Sequence, residues 1–364
     1  MSAHRHAPLN VWEYERIFEE TLDAGALGYF SGGADDEITL RDNVAAFRRW
    51  RLRPRMLVDV SAPSIQTTVL GIPVTMPLLV SPTAFQRMAH PDGEPATARA
   101  AAAAGTVMTL STIATAAPAE VAAAAPGAPR WFQLYWFKDE AVTRSLVDQA
   151  VESDFKALVL TIDAPGTLGR RERDLRTGFT VEETIPAFAA ATGRPSGATP
   201  AEVFSLIESR LTWRDLEKLR GMSDLPLLVK GLLTREDARL AADAGVDGIV
   251  VSNHAGRQLD TVLAGIDALP EVVDEVGGEV EVFVDGGVRR GTDVVKALAL
   301  GARAAMIGRP VLWGLAAGGE QGVRDVLEMF RREIALAMTL AGCSGCGSVT
   351  RDHVQDGPAP SSPP

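Results

Sequence analysis

A closed (β/α)8 barrel is the fold class this sequence predicts, and three observations carry it. Eight short apolar runs recur between residues 77 and 308, each followed by a polar or glycine-bearing loop and then a helix-forming stretch. The runs are continuous rather than alternating, as expected of parallel strands buried on both faces. Eight strand–helix units in succession, in a chain of 364 residues, suit an α/β TIM barrel with insertions better than an open sheet.

Residues 1–76 precede the repeat and read as an N-terminal extension, a helical segment followed by short strands that cover the barrel's bottom. The barrel strands are expected at 77–81, 107–111, 131–135, 157–163, 226–230, 248–252, 281–285 and 304–308. Good helix formers fill 94–104, 139–151, 235–244 and 291–300, and the alanine run at 100–104 reads as a tightly packed helix. Thr234 with Asp237, and Thr212 with Asp215, have the spacing of helix-capping pairs. Between the fourth and fifth strands, about 164–211 is far longer than an ordinary βα loop and reads as a mobile lid. The barrel with this lid spans 77–340. A proline-rich tail at about 354–364 is expected to be disordered. No shift in composition marks a second domain, so 1–364 reads as one.

Hydrophobic residues make up 46% of the chain, enough for a large core, and the formal net charge of −11 argues against a nucleic-acid partner. No segment approaches the ~20 apolar residues that span a bilayer, and the N-terminus lacks an apolar leader, so no membrane partner is expected. His4 and His6 fall in a frayed arm. Two cysteines rule out a disulfide framework and fit a reducing compartment, the cytoplasm. Cys343 and Cys346 follow a long helix rather than a strand, and a zinc site would lack two ligands, so the pair reads as a turn and no metal is expected.

The strand ends carry the chemistry. In such barrels the active site lies at the C-terminal ends of the strands. Here those ends present Ser81, Ser111, Gln133 with Tyr135, Thr161 with Asp163, Lys230, Ser252 with His254, Asp285, and Gly308 with Arg309. In S-N-H-A-G-R-Q-L-D (252–260), His254 is a candidate general base, and Arg257 is a candidate partner for a carboxylate. After the seventh and eighth strands, V-D-G-G-V-R-R-G-T-D (284–293) and I-G-R-P (307–310) place Gly286, Gly287 and Gly308 beside Arg289 and Arg309. Those are the loops where such barrels bind phosphate. Lys230 is a fixed cation suited to a group that gains negative charge on reduction, such as one edge of a flavin.

These motifs, with P-T-A-F-Q-R-M-A-H-P-D-G-E (82–94) and L-V-K-G (228–231), resemble the FMN-dependent α-hydroxy acid oxidase/dehydrogenase family, typified by glycolate and lactate oxidases. The resemblance runs from about Trp12 to about His353. It implies FMN as cofactor and His254 as catalytic base, hydrogen-bonded by Asp163. Arg257 and Arg171 would clamp the substrate carboxylate with help from Tyr29, and Tyr135 would bind the substrate hydroxyl. Pro82, Thr83 and Ala84 would rest against the flavin, with Ser111, Gln133, Thr161, Lys230 and Ser252 around it. Asp285 would bind the ribityl chain, and the backbone at 286, 287 and 308 would hold the phosphate with Arg289 and Arg309. A homo-oligomer, tetramer or octamer, is also implied.

The chain departs from that family at three places. Ile113 stands where glycolate oxidases usually have tryptophan, so the pocket for the substrate side chain is reshaped and Ile113 becomes the specificity candidate. The usual H-G-G or H-G-A reads His254-Ala255-Gly256. The segment leading to Arg171 carries one extra residue.

The implied reaction is oxidation of a small (S)-2-hydroxy acid to the 2-keto acid, with oxygen as acceptor giving hydrogen peroxide. Three other readings stay open on sequence: a dehydrogenase using another acceptor, an oxidase of a specialised biosynthetic hydroxy acid such as a mandelate, and a catalytically silent FMN-binding barrel.

Overall fold

A computed structural model describes residues 7–177, 184–193 and 200–357. Eight parallel strands close into a barrel. They are β1 (Leu78–Val80), β2 (Met108–Leu110), β3 (Arg130–Leu134), β4 (Leu158–Thr161), β5 (Leu227–Leu232), β6 (Gly248–Val251), β7 (Glu281–Asp285) and β8 (Ala304–Ile307). All eight expected runs are present, in order, and each pairs with its sequence neighbours, β8 closing on β1.

The inward side chains make a packed core rather than a pore. Leu79, Trp131, Val159, Leu228, Val250, Phe283 and Met306 interdigitate there, with the Trp131 and Phe283 rings edge-on at 5.5 Å. The floor of this core is a hairpin, Thr67–Val69 with Ile72–Val74, whose Val69 and Val74 seat against the barrel interior. The Leu70 N–H donates to the Glu281 carboxylate at the start of β7. The extension thus covers the bottom of the barrel as expected.

The rest of the extension runs to the opposite, catalytic end. Three helices, α1 (Val11–Thr21), α2 (Ala24–Ser31) and α3 (Ile38–Arg49), lead there. Helix α3 begins under Asp260, whose carboxylate accepts from the N–H groups of Ile38 and Thr39. Those are two of the orphan donors at a helix start. Helix α1 packs on the long C-terminal helix Arg309–Ala341, which is broken at Gly318 and Gly319.

Two expectations change. Val354–Asp356 is not tail but a strand, paired antiparallel with Trp50–Leu52 of the N-terminal extension; residues 358–364 lie outside the described residues, as do His4 and His6. The described part of the 164–211 segment is largely docked. Its helices Pro186–Thr192 and Pro200–Ser205 bury Phe188, Val203 and Phe204, and the backbone of Leu206 and Glu208 bonds to 136–138. Residues 178–183 and 194–199 of that segment lie outside the described residues. Cys343 and Cys346 are free thiols just past the helix end, in the turn expected of them.

Candidate active site

Beyond β6 the chain makes a tight turn in which His254, Ala255 and Gly256 all have positive φ, 56°, 55° and 77°. For His254 and Ala255 this left-handed backbone costs roughly 1–2 kcal/mol each. The surroundings hold it. Ser252 Oγ accepts from the His254 N–H, and Asn253 Oδ1 accepts from the Gly256 N–H. Asn253 and Asn43 of α3 exchange two amide hydrogen bonds, at 2.8 and 2.9 Å.

The turn delivers His254 Nδ1 to within 2.8 Å of Asp163 Oδ1 at the end of β4. A carboxylate partner assigns the imidazole proton to Nδ1, which leaves the Nε2 lone pair free to accept a proton. Burial pushes the Asp163 pKa up, but His254 and Lys230 outweigh it and hold the carboxyl below its ordinary value. Gly231 makes room for this pair. A Cβ there would stand 2.6 Å from Asp163 Cγ, and the residue has φ +114°.

Across the cavity two guanidinium groups lie over the Tyr29 ring, Arg171 at 5.2 Å and Arg257 at 4.8 Å from its centroid. Arg257 Nη1 donates to the carbonyls of Tyr29 and Gly32, and Arg171 Nε pairs with Asp174 at 2.8 Å. Burial and the neighbouring Arg171 push the Arg257 pKa down to about 10. Two close cations make a site that favours an anion. The extra residue before Arg171 does not keep it off the cavity wall.

Every residue given a site role from sequence, except Asp163 and Ser252, lines one cavity of about 990 Å³, counting its open mouth. Asp163 touches the site through its bond to His254. Ser252 is turned away from the wall, its hydroxyl accepting from Lys230 Nζ at 2.8 Å. Lys230 is buried and also pairs with Asp285 Oδ2 at 3.2 Å. Gln133 Oε1 accepts from Ser111 Oγ and the Thr112 N–H, which turns its amide nitrogen outward.

At the far end, Gly286 and Gly287 lie against α3, and a Cβ on Gly287 would fall 1.9 Å from the Asn43 carbonyl oxygen. Gly308 stands at the start of the C-terminal helix and lines the cavity with Arg309 and Leu312. Arg309 is braced by the scaffold, each guanidinium nitrogen donating to one carbonyl, of Phe30, Ala255 and Gly32, which leaves two N–H donors uncommitted. Burial, with Arg257 and Arg289 nearby, drives its pKa well below the usual arginine value.

A family model described as FMN-dependent dehydrogenase matches residues 18–356. The chain belongs to the FMN-dependent dehydrogenase family. Among curated relatives, an L-lactate oxidase of Nostoc sp. is 49% identical over 349 residues, 93% of this chain and 95% of its own length. Glycolate oxidase 1 of Zea mays is 50% identical over 352 residues, 95% of each chain. Among solved structures, a mandelate oxidase superposes with a TM-score of 0.90 at 41% identity, covering 96% of this chain and 99% of the other. A lactate oxidase of Pediococcus acidilactici gives 0.92 at 38% identity, covering 97% and 96%.

The family's cofactor is FMN, and this enzyme is an FMN-dependent oxidoreductase acting on CH–OH donors. Its residues fit that cofactor. Several buried polar atoms on the cavity wall have no protein partner: Ser81 Oγ, Gln133 Nε2, Asp285 Oδ1 and Arg289 Nε. Buried polar atoms are rarely left unpaired without a ligand or water to meet them. An amide donor suits a flavin carbonyl, a carboxylate oxygen suits ribityl hydroxyls, and a guanidinium suits phosphate.

Sequence reasoning missed several wall residues. Leu168 and Phe204 come from the 164–211 segment, and Phe30 from α2. Gln258 was quoted only as part of a motif. Its amide donates to the Asp163 carbonyl and accepts from the Gly169 N–H, tying the His254 loop to the base of that segment. The only sequence signal for Phe204 is an aromatic inside a lid. Asn43, more than 200 positions from its partner Asn253, carries no signal at all.

Proposed function

We propose that this enzyme oxidises a small (S)-2-hydroxy acid to the 2-keto acid, with oxygen as acceptor and hydrogen peroxide as second product. One observation carries the reading: an imidazole held by a carboxylate faces the same cavity as two arginines, only one of them ion-paired, and the orphaned polar atoms that suit FMN. The lactate, glycolate and mandelate oxidases among its relatives support the substrate class and the acceptor.

Arg257 and Arg171 bind the substrate carboxylate through charge-assisted hydrogen bonds, with Tyr29 between them. Tyr135 bonds the substrate hydroxyl; its phenol is buried, and burial raises its pKa, so it stays protonated as a donor. His254 Nε2 takes a proton from the substrate, and Asp163 stabilises the resulting imidazolium. Pro82, Thr83 and Ala84 would support the flavin ring, Ser111, Gln133 and Thr161 would bond its edge, and Asp285 would take the ribityl chain. The backbone of Gly286, Gly287 and Gly308, with Arg289 and Arg309, would hold the phosphate. FMN, when bound, would supply the two-electron acceptor and the reactivity toward oxygen. Lys230, fixed by Ser252 and Asp285, keeps a positive charge where negative charge develops.

A second reading of the substrate has its own observation. The residues that line the cavity include the apolar Ile113, Leu168 and Phe204, with no indole at 113. That wall suits an aliphatic or aryl 2-hydroxy acid, including a mandelate, better than glycolate.

Anaerobic mixing with glycolate and with both enantiomers of lactate, 2-hydroxyhexanoate and mandelate tests both readings. Bleaching of the flavin by (S)-acids alone, strongest for the larger ones, and recovery in air with one peroxide per turnover is expected. A flavin that no 2-hydroxy acid bleaches overturns the proposal.

We also place the chain in a cytoplasmic homo-oligomer, a tetramer or octamer. No helix among the described residues is long and apolar enough to cross a membrane. Met56, Leu57 and Val58 stand exposed beside the end of the C-terminal helix, where Leu336 and Leu340 are exposed too. The Arg55 N–H to Ala341 carbonyl bond makes the two patches neighbours. Exposed apolar side chains on adjacent segments suit self-association. A single sedimenting species of 38.6 kDa would contradict it.

A further inference from the structure

We propose that Trp12 is a positioning residue for the cofactor phosphate, acting through Arg289. The Arg289 guanidinium lies over two indole rings, 4.7 Å from the Trp313 centroid and 5.7 Å from that of Trp12. The rings stand 6.5 Å apart and tilted by 35°. Arg289 is 8% exposed, its Nη1 donates only to the carbonyl of its neighbour Val288, and its Nε has no partner. Glu15 and Asp293 act on the guanidinium across space, and neither side chain accepts a hydrogen bond from it. The two aromatic faces are therefore its main fixed contacts. Arg289 held in this way lines the cavity together with Gly287 and Gly308.

Trp12 is not what docks α1. That is done by Val11, Tyr14 and Phe18, which are 1%, 4% and 0% exposed, whereas Trp12 is 37% exposed. A large aromatic left at the surface and laid over a buried cation has another use. It restricts the guanidinium to one orientation and shields it from water, so less order is lost when an anion arrives. The inference rests on the reading of Arg289 as a phosphate ligand.

The test measures flavin affinity of the apoprotein by fluorescence quenching, with FMN and with riboflavin, which lacks the phosphate. Trp12→Leu is expected to raise the Kd for FMN about three- to thirtyfold, the range of a partly desolvated cation–π contact, and to leave riboflavin within about twofold. Trp12→Phe should restore most of the FMN affinity, and Trp12→Leu should add nothing in an Arg289→Met background. Equal weakening of FMN and riboflavin, or no weakening of either, overturns the role of Trp12. If Arg289→Met itself leaves the FMN-to-riboflavin ratio unchanged, the phosphate reading of Arg289 fails instead.

Discussion

Asp163 Oδ2 is buried without a partner, while Oδ1 bonds His254, so nearly all of this carboxylate's stabilisation comes from the imidazole and the Lys230 charge. Asp163→Asn keeps the shape and removes the charge that an imidazolium needs. It should slow flavin reduction by roughly 10²–10⁴-fold with little change in substrate Kd, measured in single-turnover stopped flow. Arg257 gives a different signature. Its pKa is lowered to about 10, so it is a cation below that pH and loses its charge as pH rises through it. Affinity for an unreactive carboxylate such as oxalate should hold from pH 7 to 9 and fall as pH approaches about 10. An affinity flat to pH 11 would mean that Arg257 keeps its charge over that range.

Helix α3 is the element that the sequence conceals and the site depends on. Its side chains hold the His254 turn through Asn43 and Asn253, and its backbone presses on Gly287. Gly287→Ala would drive a methyl into the Asn43 carbonyl and impose a left-handed backbone, at φ 84°, on an L residue. Destabilisation of roughly 2–4 kcal/mol is expected, read as a lowered urea midpoint, with weaker FMN binding. The glycine pair was legible as a phosphate motif, but the neighbour that demands Gly287 was not. Local pattern reports strands such as 157–163, whose first four residues are all apolar, and helices such as Arg235–Asp243 with its Thr234 cap. It does not report a contact between positions 43 and 253. Nor does it show that a serine at a strand end, Ser252, turns behind the wall to hold Lys230.

Over the whole molecule, one end of the barrel is plugged by apolar packing and the other is lined with polar and charged groups, a division already visible in largely apolar runs most of which end in a polar residue. The tail was misread from 354 because proline content dominates its composition, yet three residues of Val354–Asp356 find a partner strand at Trp50–Leu52. The central claim is that this polar end is organised around His254 as base. The most direct measurement is the rate of anaerobic flavin reduction in His254→Ala, at saturating (S)-2-hydroxy acid and with the flavin content matched to the parent enzyme. A fall of roughly 10²–10⁴-fold or more, with the flavin still bound, is the predicted result. Reduction at a near-normal rate would contradict the account.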